Sequence, residues 1–103
     1  MPEYKAPLRD MRFLIDDVFA FSAHYASLGA DDASPDMVAA ILEEGAKFCE
    51  QVLAPLNRIG DQKGSTYANG SVTAAPGFVD AYHQFAAGGW TGLAAPVAAG
   101  GQG

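Results

Sequence analysis

The sequence has little of three things: cysteine, basic residues and long hydrophobic runs. Cys49 is the single cysteine among 103 residues, so no internal disulfide can form, which is typical of proteins from a reducing compartment. The chain contains six basic and twelve acidic residues, which gives a net charge of −6. This negative charge opposes binding to a phosphate backbone or to an anionic membrane surface. We therefore expect no nucleic-acid partner.

No apolar stretch approaches the roughly 20 residues that a membrane-spanning helix requires, so we expect no membrane insertion. Residues 1–10 carry charges and prolines where a secretory signal would have an apolar core and a transit peptide would have repeated arginines. This pattern predicts a cytoplasmic protein.

What the sequence does contain is typical of one small folded domain. Half of the residues are apolar and 17% are charged, which is enough apolar surface to order most of the chain. The spacing of those apolar residues predicts an all-α fold of three or four helices with a small turn or hairpin between the second and third. We treat residues 1–103 as a single helical domain.

The first predicted helix runs from about Leu8 to Phe21. Its apolar residues follow the i, i+3, i+4, i+7 spacing of an amphipathic helix: Met11, Leu14, Ile15 and Val18. Ser22 to Asp32 is expected to be an ordered connection, in which one further turn could close before Gly29.

The second predicted helix starts at Ser34-Pro35-Asp36. Serine caps a helix, proline suits the first helical position, and an acid favours the positive end of the helix dipole. Pro55 predicts that this helix ends near Ala54. Within it, Glu43 and Lys47 are expected to form an i, i+4 ion pair.

Two weaker elements are expected after the second helix. Asn57 to Gly64 is polar and contains two glycines, which predicts a loop. Asn69-Gly70 is the dipeptide of tight hairpins, and its short flanks predict a small two-stranded turn.

The third predicted helix opens at Pro76-Gly77 and ends at Gly88-Gly89. Its apolar residues again have helical spacing: Phe78, Ala81, Tyr82 and Phe85. Trp90 to Gly103 has no periodicity and is expected to be a loop.

Few residues indicate chemistry. His24 and His83 have no cysteine or carboxylate at metal-ligand spacing, and Cys49 is interpreted as a small apolar residue of the second helix. The acidic pairs are interpreted as solvated helix faces and caps: Asp16-Asp17, Asp31-Asp32 and Glu43-Glu44. The glycines of residues 100–103 lack the lysine and the strand-to-helix context of a phosphate loop. We therefore assign no catalytic, cofactor-binding or metal-binding residue.

Several stretches, taken in order, resemble the N-terminal helical part of the acyl-CoA dehydrogenases of a bacterial subgroup with an N-terminal extension. They are residues 4–13 (YKAPLRDMRF), 43–50 (EEGAKFCE), 53–61 (LAPLNRIGD), 76–78 (PGF), 81–82 (AY), 88–90 (GGW), Leu93 and 100–103 (GGQG). The resemblance covers nearly the whole chain. It assigns residues 1–33 to the extension with the first helix and residues 34–103 to the start of the N-terminal domain.

The resemblance implies a flavoprotein oxidoreductase of fatty acid metabolism, oligomeric and cytoplasmic. In that family FAD is the cofactor of the full-length enzyme, which dehydrogenates an acyl-CoA thioester between Cα and Cβ. The family's catalytic glutamate and main flavin contacts lie in later domains and match no residue of this sequence, so this chain is expected to bind no cofactor. Residues 97–99 (VAA) depart from the family, which usually has an acid and an aromatic residue there.

Two other hypotheses stay open. The chain could be a stand-alone helical interaction or dimerisation module from a truncated dehydrogenase gene, or a regulatory subunit of a full-length dehydrogenase. In the leading hypothesis its partners are the remaining dehydrogenase domains, and the acyl-CoA substrate belongs to the full enzyme only. Apolar positions left uncovered without those domains predict self-association of the chain.

Overall fold

A computed structural model describes residues 3–103; Met1 and Pro2, which belong to the opening segment considered above, lie outside the described residues. Helices dominate, and the predicted all-α class is confirmed. The α-helices are α1 (Leu8–Arg12), α2 (Phe21–Ser27), α3 (Pro35–Phe48), α4 (Ala54–Lys63) and α5 (Phe78–Ala87). Two π-helical segments, Phe13–Val18 and Cys49–Leu53, follow α1 and α3 directly.

The chain divides into two compact units, one ending at Gln51 and the other comprising Val52–Gly103. The sequence-based assignment of one domain, with an extension up to residue 33, stays a prediction. Each unit is described separately below.

In the first unit, the expected helix from Leu8 to Phe21 is wrong at its C-terminal end. Helical structure stops at Val18, and Ala20 adopts a left-handed conformation with φ of 48°. The chain then begins α2, so much of the expected connection is helical. The rings of Phe19 and Phe21 lie 5.7 Å apart and those of Phe21 and Tyr25 stack at 5.8 Å. These aromatic contacts stabilise the break between the two helical segments, which the spacing of the apolar residues does not predict.

The predicted start of α3 is confirmed. Ser34 has an extended backbone, and its Oγ accepts a hydrogen bond from the backbone N–H of Met37 at 3.2 Å, while Pro35 occupies the first helical position.

The predicted ion pair between Glu43 and Lys47 is wrong, because Lys47 has a different partner. Lys47 Nζ donates to Glu44 Oε1 at 2.9 Å, so the pair is i, i+3, and Glu43 is not the partner.

The first unit buries little apolar surface. Arg12, Ile15 and Asp16 of the first helical stretch face α3, where they line a narrow crevice with Pro35, Val38, Ala39 and Leu42. The one buried apolar residue of the described part of this unit is Ala46. Lys5 Nζ lies 3.8 Å from Glu50 Oε1, an ion pair that links the N-terminal segment to the second π-helical segment.

In the second unit, the prediction that Pro55 ends the helix and that Asn57 to Gly64 is a loop is wrong. Helix α4 runs to Lys63 with Pro55 in its first turn. The preceding π-helical segment changes the hydrogen-bond register, so Pro55 falls where a missing N–H costs little. Pro55 therefore lies in the first turn of α4, although in the sequence it indicated the end of the second predicted helix.

The hairpin and the third predicted helix are confirmed. Strands β1 (Thr66–Ala68) and β2 (Ser71–Thr73) are antiparallel with Tyr67 opposite Val72, and Asn69 and Gly70 have φ of 53° and 79°. Helix α5 is followed by Gly89 at φ of 81°. Ala75 and Ala81 are the buried apolar residues of this unit.

The last stretch is more ordered than expected. It contains two 3₁₀ turns, Trp90–Gly92 and Val97–Ala99. Backbone N–H groups of Gln102 and Gly103 donate to the carbonyls of Gly92 at 3.0 Å and Ala95 at 2.8 Å. Backbone hydrogen bonds of this kind depend on no side-chain periodicity, so the pattern of the sequence could not reveal them.

Candidate functional site

The second unit contains an open apolar groove between α4 and α5. Its volume is about 380 Å³. The side chains that line it come from both helices and from the residue before α4: Leu53, Leu56, Asn57, Phe78, Ala81, Tyr82 and Phe85.

One wall of the groove could be predicted from the sequence, and the other could not. The α5 wall is the apolar stripe recognised from its helical spacing, with Ala81 buried and the Tyr82 side chain largely exposed at 63%. The α4 wall was missed, because the second predicted helix was expected to end near Ala54 and Asn57 belongs to the expected loop. The preceding Leu53, three residues before Leu56, was the one signal in the sequence that the helical face continues past Pro55.

Two glycines allow the walls to approach closely. A Cβ atom at Gly60 would lie 2.7 Å from Cζ of Phe78, and a Cβ atom at Gly77 would lie 2.7 Å from Cδ2 of Leu56. Gly77 also has a φ of 90°, a conformation that residues with a side chain adopt only with strain. These positions therefore set how near α5 lies to α4.

The groove is suited to binding apolar surface. Its polar groups are the Asn57 amide and the Tyr82 hydroxyl, and within the described part of the chain its lining includes no carboxylate, imidazole or thiol. Such groups are the commonest general acids and bases, although a phenol such as that of Tyr82 can also transfer a proton. The groove can hold or pack against an apolar group.

The residues considered for chemistry from the sequence lie elsewhere. His24 is exposed on α2 with its ring 6.2 Å from those of Phe21 and Tyr25. His83 is exposed on α5 beside Tyr82, with ring centroids 6.4 Å apart. Cys49 is half-buried and has a free thiol. The structure unites none of these three side chains with the groove.

The remaining charged groups are solvated. No three His, Cys, Asp or Glu side chains among residues 3–103 come together as metal ligands would. The hydrogen bond to Glu44, and then its charge, raise the pKa of Lys47 above the ordinary value, while that side chain remains exposed. An exposed pair of this kind contributes little to stability.

Over the part of the chain that the structure describes, no helix is both long enough and apolar enough to cross a membrane.

No protein-family model matches this chain. It is, however, 37% identical over 100 residues to a 3-methylmercaptopropionyl-CoA dehydrogenase of Ruegeria pomeroyi. The match covers 97% of this chain, which spans 17% of the length of that relative. The resemblance recognised in the sequence is thereby confirmed: over nearly its whole length the chain is similar to part of an acyl-CoA dehydrogenase.

Proposed function

We propose that this chain is a helical part of an FAD-dependent acyl-CoA dehydrogenase and is not catalytic by itself. The observation that carries the proposal is the 37% identity to such an enzyme over 97% of the chain. Because the chain spans 17% of that relative, the activity belongs to a protein with further domains.

The reaction proposed for the whole enzyme is the α,β-dehydrogenation of an acyl-CoA thioester. In the whole enzyme a glutamate would remove the α-proton, and FAD, when bound, would supply the two-electron acceptor that formation of the C=C bond requires. The groove does not supply that glutamate, because its polar groups are one amide and one phenol. We therefore assign the base and the flavin contacts to the other domains.

The contribution of this chain is proposed to be a packing surface. Exposed large apolar side chains are numerous, and the groove between α4 and α5 is apolar and open. Contiguous apolar surface of that kind marks an interaction site in a stable protein. The remaining dehydrogenase domains are the partners that would cover the groove.

The relative's name supplies the first substrate to test. It is a dehydrogenase of 3-methylmercaptopropionyl-CoA, a short acyl thioester that contains a thioether. We propose short acyl-CoA thioesters as the substrate class, with this compound compared against straight-chain acyl-CoA of matched length.

The experiment is to purify the natural, untagged gene product from its own cells and record its intact mass, flavin absorbance and acyl-CoA-dependent dye reduction. We expect a mass several times the 10.7 kDa of this chain, bound flavin, and activity. The 103-residue chain alone is the control and should carry no flavin through gel filtration. A natural product of 10.7 kDa, or flavin retained by the short chain, would contradict the proposal.

A further inference from the structure

One exposed face of the first unit is formed by charged residues around an aromatic side chain. It lines an open groove of about 540 Å³ on the helical stretch that combines α1 with the first π-helical segment. Its residues are Leu8, Arg9, Arg12, Phe13, Asp16 and Asp17. Phe13 at its centre is 56% exposed.

The order of charges along this stretch is unfavourable for a helix alone. In the continuous stretch from Leu8 to Val18, Asp16 and Asp17 lie in the last turns, where the helix dipole disfavours acids, while Arg9 lies beside Asp10 in the first turn. Arg before Asp is also the poorer order for an i, i+4 pair. In the described residues none of these four side chains forms an ion pair.

The order of charged residues along this stretch is complementary to itself when the stretches of two copies lie antiparallel. Arg9, Phe13 and Asp17 are spaced by four residues, so they follow one side of the helix. A twofold axis at Phe13 would set the two rings against each other. It would also place Arg9 of each copy opposite Asp17 of the other, as an isologous interface requires.

We propose that this face, defined by Arg9, Phe13 and Asp17, is a homodimerisation surface that pairs with a second copy of the chain in antiparallel orientation. Leu14, Val18 and Phe19 are exposed beside it and enlarge the apolar part of the contact. The stretch is about 16 Å long at 1.5 Å per residue. An interface of that length is small, which is typical of weak and transient complexes.

The test is a charge-swap experiment on the full 103-residue chain by sedimentation velocity at tens of micromolar. Arg9→Glu sets two acids against each other in a homodimer, and Asp17→Arg sets two bases against each other. Each variant should weaken the dimer at least about tenfold. A one-to-one mixture should restore it, because the reversed charges at positions 9 and 17 then attract each other.

Two controls carry the same charge changes outside the face. Lys47→Glu on α3 and Asp31→Arg in the loop before α3 should leave the dimer unchanged. Circular dichroism checks that each variant folds, and Phe13→Ser, a substitution of an exposed side chain, should weaken the dimer without reversing a charge.

A monomeric parent chain would overturn the proposal and would leave the face to another partner, such as a further dehydrogenase domain. Dimerisation that survives both reversals would also overturn it, as would folded variants whose mixture fails to associate. The proposal is independent of the proposed function, because its readout is assembly of this chain and involves neither flavin nor acyl-CoA.

Discussion

Replacing Gly77 by alanine tests the packing of α5 against α4. Gly77 has a φ of 90°, and an added Cβ atom would lie 2.7 Å from Cδ2 of Leu56. The left-handed backbone costs a residue with a side chain about 1–2 kcal/mol. The close contact adds about 1 kcal/mol, the lower end for overpacking, since the end of a leucine side chain can move.

Gly70→Ala is the matched control for the backbone contribution. Gly70 has a φ of 79°, and an added Cβ atom would meet nothing within 4 Å. Gly70→Ala should therefore lower the free energy of unfolding only by the backbone strain, about 1–2 kcal/mol. Gly77→Ala should therefore lower the free energy of unfolding by about 1 kcal/mol more than Gly70→Ala.

The assay is urea unfolding followed by the fluorescence of Trp90, the single tryptophan, which lies in the same unit. Combining Gly77→Ala with Leu56→Ala should recover the contact contribution, because the atom that the new Cβ meets is removed. Equal losses of stability for Gly77→Ala and Gly70→Ala would refute the close packing of α5 on Leu56. Simple additivity in the double variant would refute it as well.

Two further predictions concern α3. Ser34→Ala should destabilise the chain by about 1 kcal/mol in thermal unfolding, because the N–H of Met37 loses its acceptor. Glu44→Gln should lower the pKa of Lys47 toward its ordinary value, as followed by NMR titration of the lysine side chain, because the hydrogen-bonded carboxylate holds that pKa up.

Each of these has a matched control. Ser34→Asp keeps an acceptor at the cap and should retain stability; equal losses for the alanine and aspartate variants would contradict the cap. Glu43→Gln should move the pKa of Lys47 less than Glu44→Gln does, and the opposite order would contradict the observed pair. Since the folded-state pKa is raised, the pair's contribution is present below the ordinary lysine pKa and is lost as the pH rises through the raised value.

Local chemistry explains the elements that could be predicted. The Ser34-Pro35 start of α3, the Asn69-Gly70 turn and the apolar stripe of α5 depend on residues within one or two turns of each other. Such signals act in any tertiary context. The similarity to acyl-CoA dehydrogenases could also be recognised from the sequence, because it rests on the number and order of short matching stretches.

Other features of the fold could not be predicted from the sequence. The break at Ala20 depends on aromatic rings that meet across it, and the continuation of helix past Pro55 depends on a π-helical shift in hydrogen-bond register. The groove of the second unit exists because α4 extends beside α5. Apolar spacing marks which side of a helix is buried, but it does not say which partner covers that side.

By itself, then, the sequence determined the helical class, the caps and turns, and the family resemblance, because these follow from neighbouring residues or from their order. Tertiary structure decided where helices break or continue and which apolar side chains line a common groove. It also showed that large apolar side chains remain exposed while the buried apolar residues of the described chain are alanines. The groove depends on contacts between residues distant in sequence, and the helix breaks depend on ring contacts and hydrogen-bond register, neither of which apolar spacing encodes.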